Sequence, residues 1–281
     1  MRTAIATDSN SGITQEQAAK LGIYVLPMPF MINGEMFYEG VNLTHEEFFK
    51  RMEEGADITT SQPSPGEVTD FWDKLLKEYD EILYIPMSSG LSGSCQTAIM
   101  LADDYDGKVQ VVNNQRISVT QEQSALDARD LAAKGYEAAQ IKEILERTKY
   151  ESSIYITLTT LKYLKKGGRI SSTVAFIGGA LAIKPVVAVS DGEIIMLGKA
   201  RGSKNGSNFL IREIEKADGV DFSRPFCLGY TGLSDELLQK YIHDSEHLWK
   251  DYAKELPIST LGATIGTHVG PGAVAVAFFE H

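Results

Sequence analysis

Cysteine is almost missing from this chain: Cys95 and Cys227 are the only two among 281 residues. Two cysteines build neither a disulfide framework nor a thiolate metal site. Long apolar runs are missing too. No stretch approaches the roughly 20 apolar residues that a membrane-spanning helix needs. Met1–Asp8 contains no apolar leader, so the expected location is the reducing cytoplasm. Positive charge is scarce: 27 Lys and Arg stand against 38 Asp and Glu, a formal net charge of -11. An acidic surface repels phosphate backbones, which removes nucleic acid from the expected partners. It also disfavours loose adsorption to anionic membranes. No spacing of His, Cys and carboxylates resembles a metal site, and the G-x-x-x-x-G-K-[ST] phosphate loop is absent.

What is present suffices for a sizeable core: 43% of the residues are hydrophobic and 23% charged. The first half alternates strands and helices. Thr3–Thr7 reads as a strand, and Thr14 with Gln17 forms a capping-box pattern that opens a helix stopped by Gly22. Ile23–Met28 is the next strand. Thr44 with Glu47 opens a helix ending at Gly55, and Ser64-Pro-Gly-Glu67 opens another. Glu81–Pro86 reads as a buried strand, followed by a helix from about Ser94 to Asp104. Lys108–Asn113 is a strand, Ile117–Lys134 and Ala138–Tyr150 are helical, and Ile154–Leu158 closes the series. Strands separated by helices imply a mostly parallel sheet covered on both faces, with ligands beyond the carboxyl ends of the strands.

The second half has another texture. Pro185–Met196 is a hairpin pattern about Ser190-Asp-Gly192. Ser203–Ala217 and Ser234–Ala253 are amphipathic helices. Pro225–Tyr230, Pro257–Ile265 and Ala273–Phe279 read as strands. The pattern is that of an α+β domain with antiparallel pairing. The division is placed near residue 160, giving domains 1–160 and 161–281.

Five segments carry chemistry or shape. Ser88-Ser-Gly-Leu-Ser-Gly-Ser94 lies between a strand and a helix. Glycines admit a close ligand, and hydroxyls with free amides at a helix start suit an anion. On spacing alone it reads equally well as a polar turn with an N-cap serine. Thr59-Thr-Ser-Gln-Pro-Ser64 reads first as a capping loop. In Leu164-Lys-Lys-Gly-Gly-Arg-Ile-Ser171, Lys165 and Lys166 suit a helix C-terminus, whereas Arg169 fits binding of a carboxylate or phosphate. Gly266-Thr-His-Val-Gly-Pro-Gly272 reads as a shaped loop presenting His268. His45, His243, His247 and His281 read as surface residues. Ala175–Ile183 is helix-like, loosened by Gly178-Gly179, and reads as core packing or a tunnel wall.

Together these segments resemble the DegV family, the fatty-acid-binding B subunits of bacterial fatty acid kinase. The resemblance rests on Thr7-Asp-Ser9, Thr60-Ser-Gln-Pro-Ser64, Ser89-Gly-Leu-Ser-Gly-Ser94, Leu161–Ser171, Ile183-Lys-Pro-Val186, Asp191-Gly192 and Gly266–Ala273. Each is weak alone; their joint order is specific. It implies a two-domain α/β fold with a ligand tunnel between the domains and one long-chain fatty acid bound. It implies that Thr60 and Ser92 hold the carboxylate, with Ser61, Gly93, Ser94, Arg169 and His268 beside it. No cofactor is implied. The implied partner is a separate ATP-dependent kinase subunit that makes an acyl phosphate for phospholipid synthesis, with transient membrane contact for lipid exchange. The protein itself is then a binding subunit and not an enzyme. One departure stands out: relatives carry an Asp-Ser pair where this chain has Asn113-Asn-Gln-Arg-Ile-Ser118, which bears on the rim of the site and partner docking.

The physics agrees with that implication. Burying about fifteen methylenes at roughly 0.8 kcal/mol each gives a gross gain of about 12 kcal/mol, before the costs of ordering the chain. The buried carboxylate needs donors around it. Two readings compete. Gly90-Leu-Ser-Gly-Ser94 nearly matches the hydrolase pattern G-x-S-x-G, with Ser92 as nucleophile and His268 as base, but Ser94 replaces the last glycine. The other is a lipid-binding regulatory module without a kinase partner.

Overall fold

The computed structural model describes residues 2–169, 183–217, 220, 227–251 and 256–279. The Ala175–Ile183 segment lies outside the described residues except for Ile183. Along the chain run β1 (Thr3–Asp8), α1 (Gln15–Leu21), β2 (Ile23–Leu26), β3 (Pro29–Ile32), β4 (Glu35–Tyr38), α2 (His45–Glu53), β5 (Ile58–Thr60) and α3 (Pro65–Leu75). There follow β6 (Glu81–Ile85), α4 (Ser94–Ala102), β7 (Val109–Val111), α5 (Ser118–Ala133), α6 (Ala138–Arg147), β8 (Ser152–Thr157) and α7 (Lys162–Lys166). The last are β9 (Ile183–Ser190), β10 (Glu193–Arg201), α8 (Ser203–Lys216), β11 (Cys227–Tyr230), α9 (Glu236–Trp249), β12 (Ile258–Thr260), α10 (Ala263–Val269) and β13 (Val274–Phe279).

Two units divide the chain: residues 1–43 with 60–150, and 44–59 with 151–281. This corrects the expected 1–160 and 161–281 in two ways. The segment carrying α2 belongs to the second unit although it lies early in sequence. Strand β8, which reads in sequence as the last of the parallel series, pairs antiparallel with β13 and β9 instead.

In the first unit, β2-β1-β6-β7 form a parallel sheet. The period of two in the strands sorts side chains to opposite faces. Ile5, Leu83 and Ile85 pack with Ala125, Ala128, Ile141 and Leu145 of α5 and α6. Ala4, Ala6, Ile82 and Tyr84 pack with Val68, Trp72, Cys95 and Ala98 of α3 and α4. Both faces are covered, as expected of a parallel sheet. The connections leave β1 toward β2 on one side, while β6 lies on the other. The carboxyl ends of β1 and β6 therefore flank a topological switch point, where ligands bind in such folds.

The capping patterns form as the sequence predicts. Thr14, Thr44 and Ser64 each cap a helix in a complete box with Gln17, Glu47 and Glu67. One hairpin escapes the sequence reading. β3 and β4 pair antiparallel about Asn33-Gly34, both at positive φ, 52° and 85°. Asn-Gly is the strongest short hairpin signal, so it was there to be found.

In the second unit, six strands in the order β10-β9-β8-β13-β11-β12 form a mixed sheet; only β11 and β12 run parallel. The predicted hairpin turns at Asp191-Gly192, both left-handed. Leu210, Ile214, Leu238 and Tyr241 of α8 and α9 pack on Val186, Leu228, Val276 and Phe278. Of the expected strand Pro257–Ile265 only β12 is a strand; residues 263–265 begin α10. The expected loop around His268 is thus mostly helix, with His268 in its last turn.

Candidate functional site

Within the first unit the Ser88–Ser94 loop leaves β6 at the switch point. Ser88 O accepts the N–H groups of Leu91 and Ser92, both at 3.1 Å, which curls the loop tightly. Ser92 Oγ accepts Ser94 N–H at 3.2 Å. The N-cap position of α4 is Gly93, which has no side chain to cap it. Ser92 Oγ thus takes one amide at the helix start, short of the complete boxes of α1, α2 and α3. Ser94 Oγ is buried and unpartnered. A helix start without a capping box, beside a buried, unused hydroxyl, is an arrangement that suits an anion.

The Thr60–Ser64 segment comes to this loop. Gln62 Nε2 donates to Thr97 Oγ1 at 3.2 Å, and a Cβ on Gly93 would lie 3.3 Å from Gln62 Oε1. Thr60 is half-buried at the end of β5, and Ser61 is exposed, its N–H donating to Pro29 O at 3.4 Å. So Thr60, Ser61, Ser92, Gly93 and Ser94 lie on two segments that the first unit joins.

The second unit joins the other two predicted residues. α7 ends at Gly167, with Lys165 and Lys166 in its last turn. Gly168, at φ 70°, reverses the chain so that Arg169 N–H donates to Leu164 O at 3.2 Å. Arg169 Nη1 donates to Gly167 O at 2.6 Å. α10 packs on α7 at this point. A Cβ on Gly167 would lie 2.1 Å from His268 Nδ1, so only glycine allows the imidazole this close. We expect Gly167→Ala to cost about 1–3 kcal/mol as an overpacking change. An unchanged urea midpoint together with an unshifted His268 ring resonance would contradict this.

Burial, and secondarily the charge of Arg169, lowers the His268 pKa to about 4. The imidazole is therefore neutral at pH 7, which sequence alone leaves open. His45 also departs from its surface reading. It is half-buried, its ring lies 4.6 Å from that of Phe49, and burial lowers its pKa.

Sequence reading missed the buried polar cluster behind the Ser88–Ser94 loop. Asp8, Asn10, Asn114, Arg116 and Gln121 are each at most 2% exposed. Asp8 accepts from Asn10 N and Nδ2, Met87 N and Gln121 Nε2. The Thr7-Asp-Ser9 segment was the available signal. The 113–118 loop also joins this interior: Arg116 donates to Ser124 Oγ and Thr148 O, and its own carbonyl accepts Ser88 N–H at 2.8 Å. Among the described residues no group of three His, Cys, Asp or Glu side chains is placed to hold a metal ion, and no helix is long and apolar enough to cross a membrane.

Comparison with known proteins extends over the whole chain. Residues 2–281 match the family model described as "Uncharacterised protein, DegV family". A DegV domain-containing protein of Caldanaerobacter subterraneus is 32% identical, with 99% of each chain covered. A fatty-acid-binding DegV family protein of Thermus thermophilus superposes with a TM-score of 0.87 at 29% identity, covering all of both chains. DegV of Bacillus subtilis, described as a fatty acid binding protein, gives 0.84 at 27% identity, again over all of both chains.

Proposed function

The chain belongs to the DegV family, and from that premise we propose that it binds one long-chain fatty acid, with the carboxylate held by Thr60 and Ser92. Ser61, Gly93, Ser94, Arg169 and His268 are its neighbours in this reading. The observation that carries it is the start of α4: it has no capping box, and Ser94 Oγ is buried without a partner. A carboxylate there would accept from the hydroxyls and first-turn amides. Arg169 supplies positive charge, and a neutral His268 donates or accepts a hydrogen bond without adding to it. The fatty-acid binding of the Thermus thermophilus and Bacillus subtilis proteins supports the ligand class.

In the same reading the protein is not an enzyme by itself. It carries the acid to a separate ATP-dependent kinase subunit in the cytoplasm, contacting membranes transiently to exchange lipid. The acyl phosphate so formed feeds phospholipid synthesis. A mixed anhydride is labile to water, and a protein that shelters it suits that chemistry.

The hydrolase reading is weaker. A nucleophile elbow holds its serine in a strained turn. Among the described residues, the non-glycine positions at positive φ are Asn33, Asp106, Gln115, Ser118 and Asp191, and Ser92 is not one of them. Its hydroxyl accepts the Ser94 N–H.

Protein purified from bacterial cells should release a fatty acid into organic solvent, detected by mass spectrometry. Ser92→Ala should weaken binding of added acid about tenfold, the loss of one hydrogen bond to a charged group. No acyl chain in the extract and no binding on addition would overturn the proposal.

A further inference from the structure

The polar cluster behind the head-group loop is more elaborate than a sheet end requires. Asp8 is the last residue of β1 and wholly buried. Its Oδ1 accepts from Asn10 N at 2.9 Å, Asn10 Nδ2 at 3.0 Å and Gln121 Nε2 at 3.1 Å. Its Oδ2 accepts from Met87 N at 2.8 Å, reaching from β1 to the second residue beyond β6. All four partners are donors, an arrangement suited to a carboxylate with no proton to place. Burial raises the Asp8 carboxyl above its ordinary value, and these four hydrogen bonds oppose that rise.

The next residue is held from the opposite side. Ser88 N–H donates to Arg116 O at 2.8 Å. Arg116 is itself fixed by Ser124 Oγ and Thr148 O. Met87 and Ser88 thus sit in a clamp, Asp8 on one flank and the 113–118 loop on the other. Everything beyond depends on where Ser88 O points, because it accepts Leu91 N–H and Ser92 N–H. Asn10 adds a second grip, with Nδ2 at 3.1 Å from Met87 Sδ. Gln121 locks the other end, donating also to Thr7 Oγ1 and Ile85 O.

We propose that Asp8 is a positioning residue for the head-group loop, acting through the Met87 amide to set Ser92 and Ser94 for the ligand carboxylate. This rests on the fatty-acid reading above. It also gives the 113–118 loop a role: its Arg116 carbonyl is the opposite jaw of the clamp. Asp8 is wholly buried and acts only through the loop. Its effect should fall on the polar end of the ligand and leave the apolar end untouched.

The test uses the full-length protein, palmitic acid and methyl palmitate, with affinities from titration calorimetry. Asp8→Asn keeps shape and volume. With its oxygen toward the three donors at Oδ1, its NH2 faces the Met87 N–H, donor against donor, and that clamp opens. The expected result is a loss of about tenfold or more for the acid, with the ester changed less than about twofold. Equal losses for both ligands, or no loss, in a folded variant would overturn the role. Should Asp8→Asn not fold, Gln121→Met removes one donor to Asp8 without adding a polar group. The same acid-selective loss, smaller in size, is then expected, and its absence overturns the proposal. A wild type that binds neither ligand overturns the fatty-acid reading and this inference with it. A wild type whose acid binding is weakened by Ser92→Ala but not by Asp8→Asn or Gln121→Met overturns the Asp8 role alone.

Discussion

Phe49→Ala should lower the stability of the second unit by about 3–5 kcal/mol, the usual cost of emptying a buried phenylalanine site. Phe49 is wholly buried in α2. Its ring meets that of Phe48 edge-on at 5.0 Å and lies against Gly266 of α10, where a Cβ would be 2.7 Å from Cζ. The ring is thus packed onto helical backbone, and small residues cannot replace it. The two tryptophans make the measurement simple, since Trp72 lies in the first unit and Trp249 in the second. Single-tryptophan variants report each unit in urea, where the midpoint shift at unchanged slope gives the change. A shift below about 1 kcal/mol at Trp249 would contradict the placement of α2 in the second unit. The consequence for function follows from α10, which carries His268 two positions beyond this contact at Gly266 and is steadied by it.

Acid should weaken the fold through His268. Its pKa is about 4 in the folded protein against an ordinary 6.5. Between those values the unfolded chain binds the proton and the folded one does not, so stability falls as pH falls through that window. Full stability is present above about pH 6.5. Lowering from 6.5 to about 4 corresponds to about 3 kcal/mol lost by pH 4. His268→Gln keeps a polar side chain that does not titrate. Denaturant unfolding of both proteins from pH 7 to pH 4 should show the wild type losing about 3 kcal/mol relative to the variant. Carboxylate titrations common to both cancel in that difference. Curves that stay parallel across the range would refute a buried neutral imidazole.

Local chemistry wrote much of this structure legibly. The capping boxes at Thr14, Thr44 and Ser64 formed as read, because a cap needs only residues within one helical turn. The Asp191-Gly192 turn did so for the same reason. Where the reading failed, distant parts of the chain had intervened. The 263–269 segment looked like strand and loop because Gly262, Gly266 and Gly270 surround it. Glycine costs a helix about 1 kcal/mol, yet Gly266 is needed where Phe49 comes close, and Gly270, at φ 77°, where Tyr163 does. β8 was grouped with the wrong sheet because an isolated apolar run does not state its partners. Ser92 was visible as a candidate from its loop, whereas the Asp8 clamp was not, since Met87 and Gln121 are 79 and 113 positions away.

The sequence by itself determined the parallel and mixed sheets, the helix starts at Thr14, Thr44 and Ser64, the family resemblance and the hydroxyl-rich loop, all of which depend on short-range pattern or on motif order. Tertiary structure decided that α2 and β8 belong to the second unit, that His268 sits neutral on a helix beside Arg169, and that α4 begins at Gly93 without a capping box. The reason is physical in each case. Strand partners, burial and the field around a titratable group are set by residues far apart in sequence, and only the folded chain brings them within reach.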